Sequence, residues 1–335
     1  MLAVHLLVFA DHSLRRFERP ALVALIGFAV ATHSATFAIV LALVLAAIPA
    51  RALLRVGHAP GIARGATALV LGALLLLSAN FITAGRFAWT PGGIALSFGR
   101  MLQDGIVARY LAEHCPDKRL RLCAHRAELP TDADVFFWSG EGTVFNRLGR
   151  FAGLGDEMAT IVVESLREYP AWQAKLALLA TVRQLVRVET GEGVVNTIWH
   201  SYAMVAKFTP SVVADMRAGR QQRGEFDFTA INRVHVPIAL AAMLALLAIA
   251  ARGLQRDAFV DLGALATTAV VSLLANAVVC GVFANPHDRY GARLVWIAPL
   301  VALLAIGRAV ATARAGQRLP RHPGAATLQA DSTAR

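Results

Sequence analysis

The sequence predicts an all-α, polytopic helical membrane protein that carries a mainly helical domain on one side of the bilayer. Three observations predict it. Long apolar runs recur along the chain, several of them near the roughly 20 residues needed to cross a hydrocarbon core ~30 Å thick. Between them lies one polar block, residues 85–233, whose local patterns are helical rather than alternating. The chain is also 56% hydrophobic and only 16% charged, with a mean hydropathy of +0.54, well below the roughly 25% charge of soluble domains.

The formal charge of +11 raises the question of nucleic-acid binding, and its distribution answers it. The stretch from Arg86 to Asp227 contains 17 Lys and Arg against 16 Asp and Glu. Of the 33 basic and 22 acidic residues in the whole chain, 16 and 6 therefore lie in and beside the apolar runs. The surplus reads as membrane topology, with no nucleic-acid partner.

In chain order, Met1 to Ala10 is apolar but about half of a span, without the basic start and small-residue cleavage site of a signal peptide. It reads as the end of a span whose beginning precedes this chain. Ala21 to Ala50 is too long for one untilted helix and is interrupted at Thr32, His33 and Ser34, so it fits two short passes or one long tilted helix. The runs 65–84, 234–251, 262–283 and 294–311 each supply one further span. Arg308, near the end of the last, is placed to snorkel to the interface. Residues 312–335, basic and rich in Pro, Gly and Ala, read as a disordered cytoplasmic tail.

Cytoplasmic loops favour Lys and Arg. With the tail inside, Arg51, Arg55, Arg64, Arg252, Arg256, Arg314, Arg318, Arg321 and Arg335 all fall inside, against Arg289 and Arg293 in the one short outer loop. If the Ala21 to Ala50 run folds back at His33, Arg15, Arg16 and Arg19 join them, which favours the hairpin. The large block, read as residues 85–233 between N-terminal membrane segments 1–84 and C-terminal membrane helices 234–311, is then extracytoplasmic. Cys115 and Cys123 sit within it, and two nearby cysteines in an oxidising compartment are expected to form a disulfide. Free thiols, or metal ligands with His114 and His125, are the alternatives; the spacing is not a usual zinc pattern.

Inside the block, Phe98, Leu102, Ile106 and Tyr110 recur at steps of four and predict a helix lying under the domain, weakened at Gly99 and Gly105. Residues 128–149, with Pro130, Gly140 and Gly142 around Phe136, Phe137 and Trp138, read as irregular structure. Asp132 and Asp134 there suggest turn formers before they suggest paired acids. Two amphipathic helices follow, over 156–169 and 171–188.

The candidate site residues cluster at membrane ends. His287, Asp288 and Arg289 place an imidazole, an acid and a base in one short outer loop. They could hold an anionic lipid headgroup and pass a proton, or form no more than a capped turn. Arg86 could meet lipid phosphate or anchor a helix end. His33 is an ionisable group within an apolar run, at the interface if the run turns there. No cofactor motif, phosphate-binding glycine loop, G-x-S-x-G elbow or H-E-x-x-H is present.

Three stretches, LLSANFITAGRFAWTPGG, DRYGARLVWIAPLVALLA and ATHSATFAIVLALVLAAIP, resemble segments of polytopic glycosyltransferases of the GT-C superfamily, the protein mannosyltransferase-like members. The resemblance covers well under half of the chain. It implies sugar transfer from a polyprenyl-phosphate donor outside the cytoplasmic membrane, with Arg86 and Arg289 contacting the donor phosphate. In that family the catalytic carboxylate lies in the first outer loop, a loop this chain starts too late to contain. The sequence is therefore expected to be an N-terminally shortened form or a non-catalytic binding or scaffolding protein of the envelope, and no residue is assigned as catalytic base.

Overall fold

A computed structural model describes residues 1–54, 57–85, 87–90, 93–139, 142–194, 201–255 and 259–318. Among these residues the chain is all-α, with sixteen α-helices and no strand. Five segments are long and apolar enough to cross a bilayer: Ser34–Leu53, Ala59–Ala84, Thr229–Gln255, Val260–Phe283 and Asp288–Arg314. The protein is a multi-pass membrane protein.

The N-terminal part comprises α1 (Leu2–Phe9), α2 (Glu18–Thr32), α3 (Ser34–Leu54) and α4 (Ala59–Ala84). Between α2 and α3, His33 takes an extended backbone, φ −155° and ψ 122°, which breaks the helical hydrogen-bond run. The contacts show that the chain folds back there. Gly27 and Val30 of α2 lie beside Ala68, Leu71 and Gly72 of α4, in the same order, whereas α3 starts near Thr90, beyond the end of α4, and reaches Val44 beside Gly65. The two arms are therefore antiparallel. At ~1.5 Å per residue, the 15 residues of α2 rise about 22 Å, short of a full span. Small residues let these backbones meet: a Cβ on Gly61 would stand 1.8 Å from the Leu7 carbonyl oxygen. At that end Asp11 accepts from both Arg19 and Arg64, at 2.9 and 2.5 Å, so the basic residues of the first loop and of the α4 start share one end of the bundle.

The polar block folds as α5 (Gly93–Gln103), α6 (Ile106–His114), α7 (Ala133–Trp138), α8 (Val144–Arg147), α9 (Arg150–Glu168), α10 (Pro170–Val186), α11 (Tyr202–Phe208) and α12 (Val213–Ala218). Three expectations are corrected here. The single helix expected over 94–114 is two, divided where Gly105 adopts φ +78°. Its apolar row does not lie under the domain but forms its centre: Phe98, Ile106 and Tyr110 are buried with Leu154, Met158 and Ile161 of α9. The stretch read as irregular contains two short helices, α7 capped by the Asp132 side chain on the Val135 N–H and α8 by Thr143 on the Asn146 N–H. Cys115 and Cys123 form a disulfide, with Cα atoms 5.6 Å apart, that ties the end of α6 to the 3-10 turn Arg121–Glu128.

The chain ends in α13 (Thr229–Gln255), α14 (Val260–Phe283), α15 (Asp288–Val295) and α16 (Ile297–Arg318). α16 runs seven residues past the expected end of the last span at Ala311, and the tail beyond Arg318 lies outside the described residues. α14 is the central column: half of its apolar window is buried in protein, against 17–28% for the other four. It meets α13 backbone to backbone, where a Cβ on Gly253 would lie 2.4 Å from the Gly263 Cα. One face of α14 buries Thr268, Ser272, Asn276 and Cys280 at steps of four.

The domain is set into the bundle through α10. A Cβ on Gly281 of α14 would lie 2.7 Å from the Ala180 carbonyl oxygen, and one on Gly291 of α15 would lie 2.0 Å from that of Arg187. Val188 is buried with Ala239 of α13 and Val295 of α15. On the outer side of α10, Leu178, Val182 and Val186 form an exposed apolar row at steps of four, the pattern of a helix that faces lipid near the interface.

Candidate functional site

The site forms where α14 ends and the chain turns into α15. Residues 284–287 cannot continue the α14 helix, because Pro286 lacks the N–H that a helix interior needs. The turn is held from the domain side. Gln184 of α10 clamps His287 at two points, its Oε1 accepting the His287 N–H and its Nε2 donating to the His287 carbonyl, both at 2.9 Å. Arg187 donates to the Pro286 carbonyl at 2.9 Å, and Asp288 accepts the Glu189 N–H at 3.0 Å.

Glu192 completes the clamp. One of its oxygens lies 2.6 Å from His287 Nδ1, and the other accepts the Arg289 N–H at 2.8 Å. Gly191 and Gly193 flank it at φ +105° and +80°, a backbone region that only glycine enters readily, and this directs the turn. Burial pushes the Glu192 carboxyl up, but the Arg289 N–H, the His287 ring and the Arg289 charge together hold it below its ordinary value of 4.5. A depressed pKa adds stability that is present above the ordinary value and lost as pH falls through the folded one. Hydrogen exchange in residues 285–290 is therefore expected to quicken as pH drops below about 4.5 beyond the intrinsic trend, and Glu192→Gln is expected to flatten that dependence.

Across the turn, α7 brings in its own side chains. Asp134 lies 3.5 Å from His287 Nε2 and is half-exposed. Leu96, Phe137, Trp138, Asn285, Arg289 and Tyr290, with Asp134 and His287, enclose a cavity of about 120 Å³. The Arg289 guanidinium lies over the Tyr290 ring, 5.2 Å from its centre, a cation–π arrangement. The Oδ1 of Asn285 is buried and has no hydrogen-bond partner.

Of the residues named from the sequence, His287, Asp288 and Arg289 come together here, with divided tasks. His287 and Asp288 mainly hold the turn, and Arg289 lines the cavity. Arg86 lies outside the described residues. The neighbouring part of its segment is anchored by Asn80, which donates to the carbonyls of Ala88 and Trp89 at 2.6 and 3.2 Å, and by the Trp89 ring against Phe37 at 4.4 Å. His33 stands apart from the cavity, its Nε2 3.3 Å from Arg293, which also donates to Asn276 at 3.2 Å.

Sequence reasoning missed Gln184, Arg187 and Glu192, read Asp134 as a turn former and Phe137 and Trp138 as part of an irregular stretch, and did not single out Asn285 in its loop. The one local signal was Glu192 between two glycines, an acid on a turn that glycine alone can make. Gln184, Arg187 and Asp134 are joined to the turn by contacts some 100 or more positions away in the chain, such as Gln184 to His287. Comparison of the chain with protein-family models, with curated proteins and with solved structures finds no match.

Proposed function

We propose that the protein takes up a polyprenyl-phosphate-linked sugar at the extracytoplasmic face of the cytoplasmic membrane and acts as a glycosyltransferase-like protein. The observation that carries this reading is a cavity walled by Phe137, Trp138 and Tyr290 and lined also by Asn285, whose buried Oδ1 has no hydrogen-bond partner. A buried acceptor costs roughly 1–3 kcal/mol unless a donor reaches it. A sugar hydroxyl donates; a fully ionised phosphate does not. Aromatic faces pack on the C–H faces of a sugar ring, Asp134 accepts further hydroxyls, and Arg289 has the charge and geometry for a linking phosphate. The disulfide and the arginine bias of the opposite membrane ends support the outward orientation.

A second reading, a non-catalytic binding domain with the same pocket, is supported by the pairing of Glu192 and His287 with each other and with the turn backbone. Those groups serve the clamp, and no catalytic base is assigned. Both readings are tested with the purified chain in nanodiscs and polyprenyl-phosphate mannose as probe. Asp134→Asn and Arg289→Ala are each expected to weaken binding about tenfold, ~1.4 kcal/mol, with the fold intact. Release of mannose to an acceptor supports the enzyme, and binding without release supports the binder. Binding unchanged in both variants removes the site.

A further inference from the structure

A second cavity lies between α5, α9 and α10 of the domain and the end of α14. Its volume is about 350 Å³, within the ~300–1,000 Å³ range of ligand pockets. Its wall is mainly apolar, with Met101, Val162, Leu166, Ala174, Val282 and Phe283 prominent. Leu166 and Phe283 are exposed, and Phe283 is the last residue of a span, so an apolar rim stands at the level where the bilayer meets the domain.

Two buried polar side chains, Arg100 and Gln173, are among the lining residues. Arg100 is 4% exposed. Its Nη1 donates to the Val282 carbonyl at 3.3 Å and its Nη2 lies 2.7 Å from Asp104, while neither Nη2 nor the buried Nε makes a hydrogen bond. Gln173, 6% exposed, donates to the sulfur of Met101, at 3.4 Å, a weak acceptor. An apolar chamber with a stranded guanidinium N–H fits a molecule that has a hydrocarbon chain and a strong oxygen acceptor. Arg183 adds positive charge near Asp104, so Arg100, Asp104 and Arg183 together carry a net positive charge and an anionic acceptor is favoured.

We propose that this cavity holds one hydrocarbon chain of an anionic glycerophospholipid from the surrounding bilayer, with a phosphoryl or ester oxygen of that lipid accepting from the Nε of Arg100. The proposal does not depend on the sugar-binding reading, which concerns a separate cavity.

Native mass spectrometry of the full chain, released from nanodiscs of phosphatidylcholine with a minor share of phosphatidylglycerol, tests it. One phosphatidylglycerol per chain is expected to survive release. Ala174→Trp from α10, and Ser97→Phe from α5, fill the cavity from opposite walls and are each expected to lower retention about tenfold or more. Leu244→Trp, on an exposed face of α13, is expected to leave it unchanged. Unfolding temperature identifies which cavity variants fold, and one folded variant suffices. Undiminished retention in a folded variant, or no retained lipid in the unaltered chain, overturns the proposal and leaves the cavity to water. Retention of phosphatidylcholine as readily as phosphatidylglycerol overturns the anionic preference.

Discussion

Replacing Asp104 by alanine is expected to cost the extramembrane domain ~3–5 kcal/mol, the usual penalty for leaving one member of a buried ion pair alone. Arg100 and Asp104 face each other one helical turn apart, with side chains 5% and 13% exposed. Burial pushes the Asp104 carboxyl up and the Arg100 guanidinium down, in both cases against the attraction of the partner. Desolvation thus outweighs the pairing, and the charges persist at this depth because each answers the other. The double variant Arg100→Met with Asp104→Leu removes both charges and keeps apolar volume, so it is expected to recover most of the lost stability. Thermal unfolding in detergent measures all three proteins. A double variant no more stable than Asp104→Ala would show that the pair stabilises the domain outright.

Phe136→Ala is expected to cost a similar ~3–5 kcal/mol, and its consequence extends to the candidate sugar cavity. Phe136 is fully buried and packs on Phe98, Phe137 and Phe145, with ring centres 5.0–5.6 Å apart. It lies on α7, a helix of only six residues, which cannot hold its shape without tertiary packing. The neighbours of Phe136 on that helix are Asp134, Phe137 and Trp138, one wall of the cavity. Loss of the anchor should therefore lower both the unfolding temperature and the affinity for polyprenyl-phosphate mannose. Phe136→Leu, which retains apolar volume, is expected to restore most of both. Binding that stays intact in a destabilised Phe136→Ala protein would show that α7 is held by other contacts.

These two residues show what could be read without coordinates. The membrane helices were legible because a bilayer demands length and apolarity in one unbroken stretch, and 65–84 or 262–283 display both. The buried face of α5 and α6 was legible as a four-residue rhythm, although the rhythm carries through Gly105, where the chain turns. α7 and α8 were not legible, since six and four residues are too few to show a period and their helicity comes from packing around Phe136 and Phe145. In the same way, His287 to Arg289 stood out because their chemistry is contiguous. Glu192, Gln184 and Asp134 join them only through contacts 95, 103 and 153 positions apart.

The absence of a side chain at Gly291 has a mechanical consequence. The Arg187 carbonyl fills the space in which a Cβ would sit, and Gln184, Arg187 and Glu192 grip the adjoining turn. With no slack between them, rotation of the last transmembrane segment about its own axis must drag the segment after α10 along. Such a rotation would also carry Arg289 and Tyr290, which line the surface chamber.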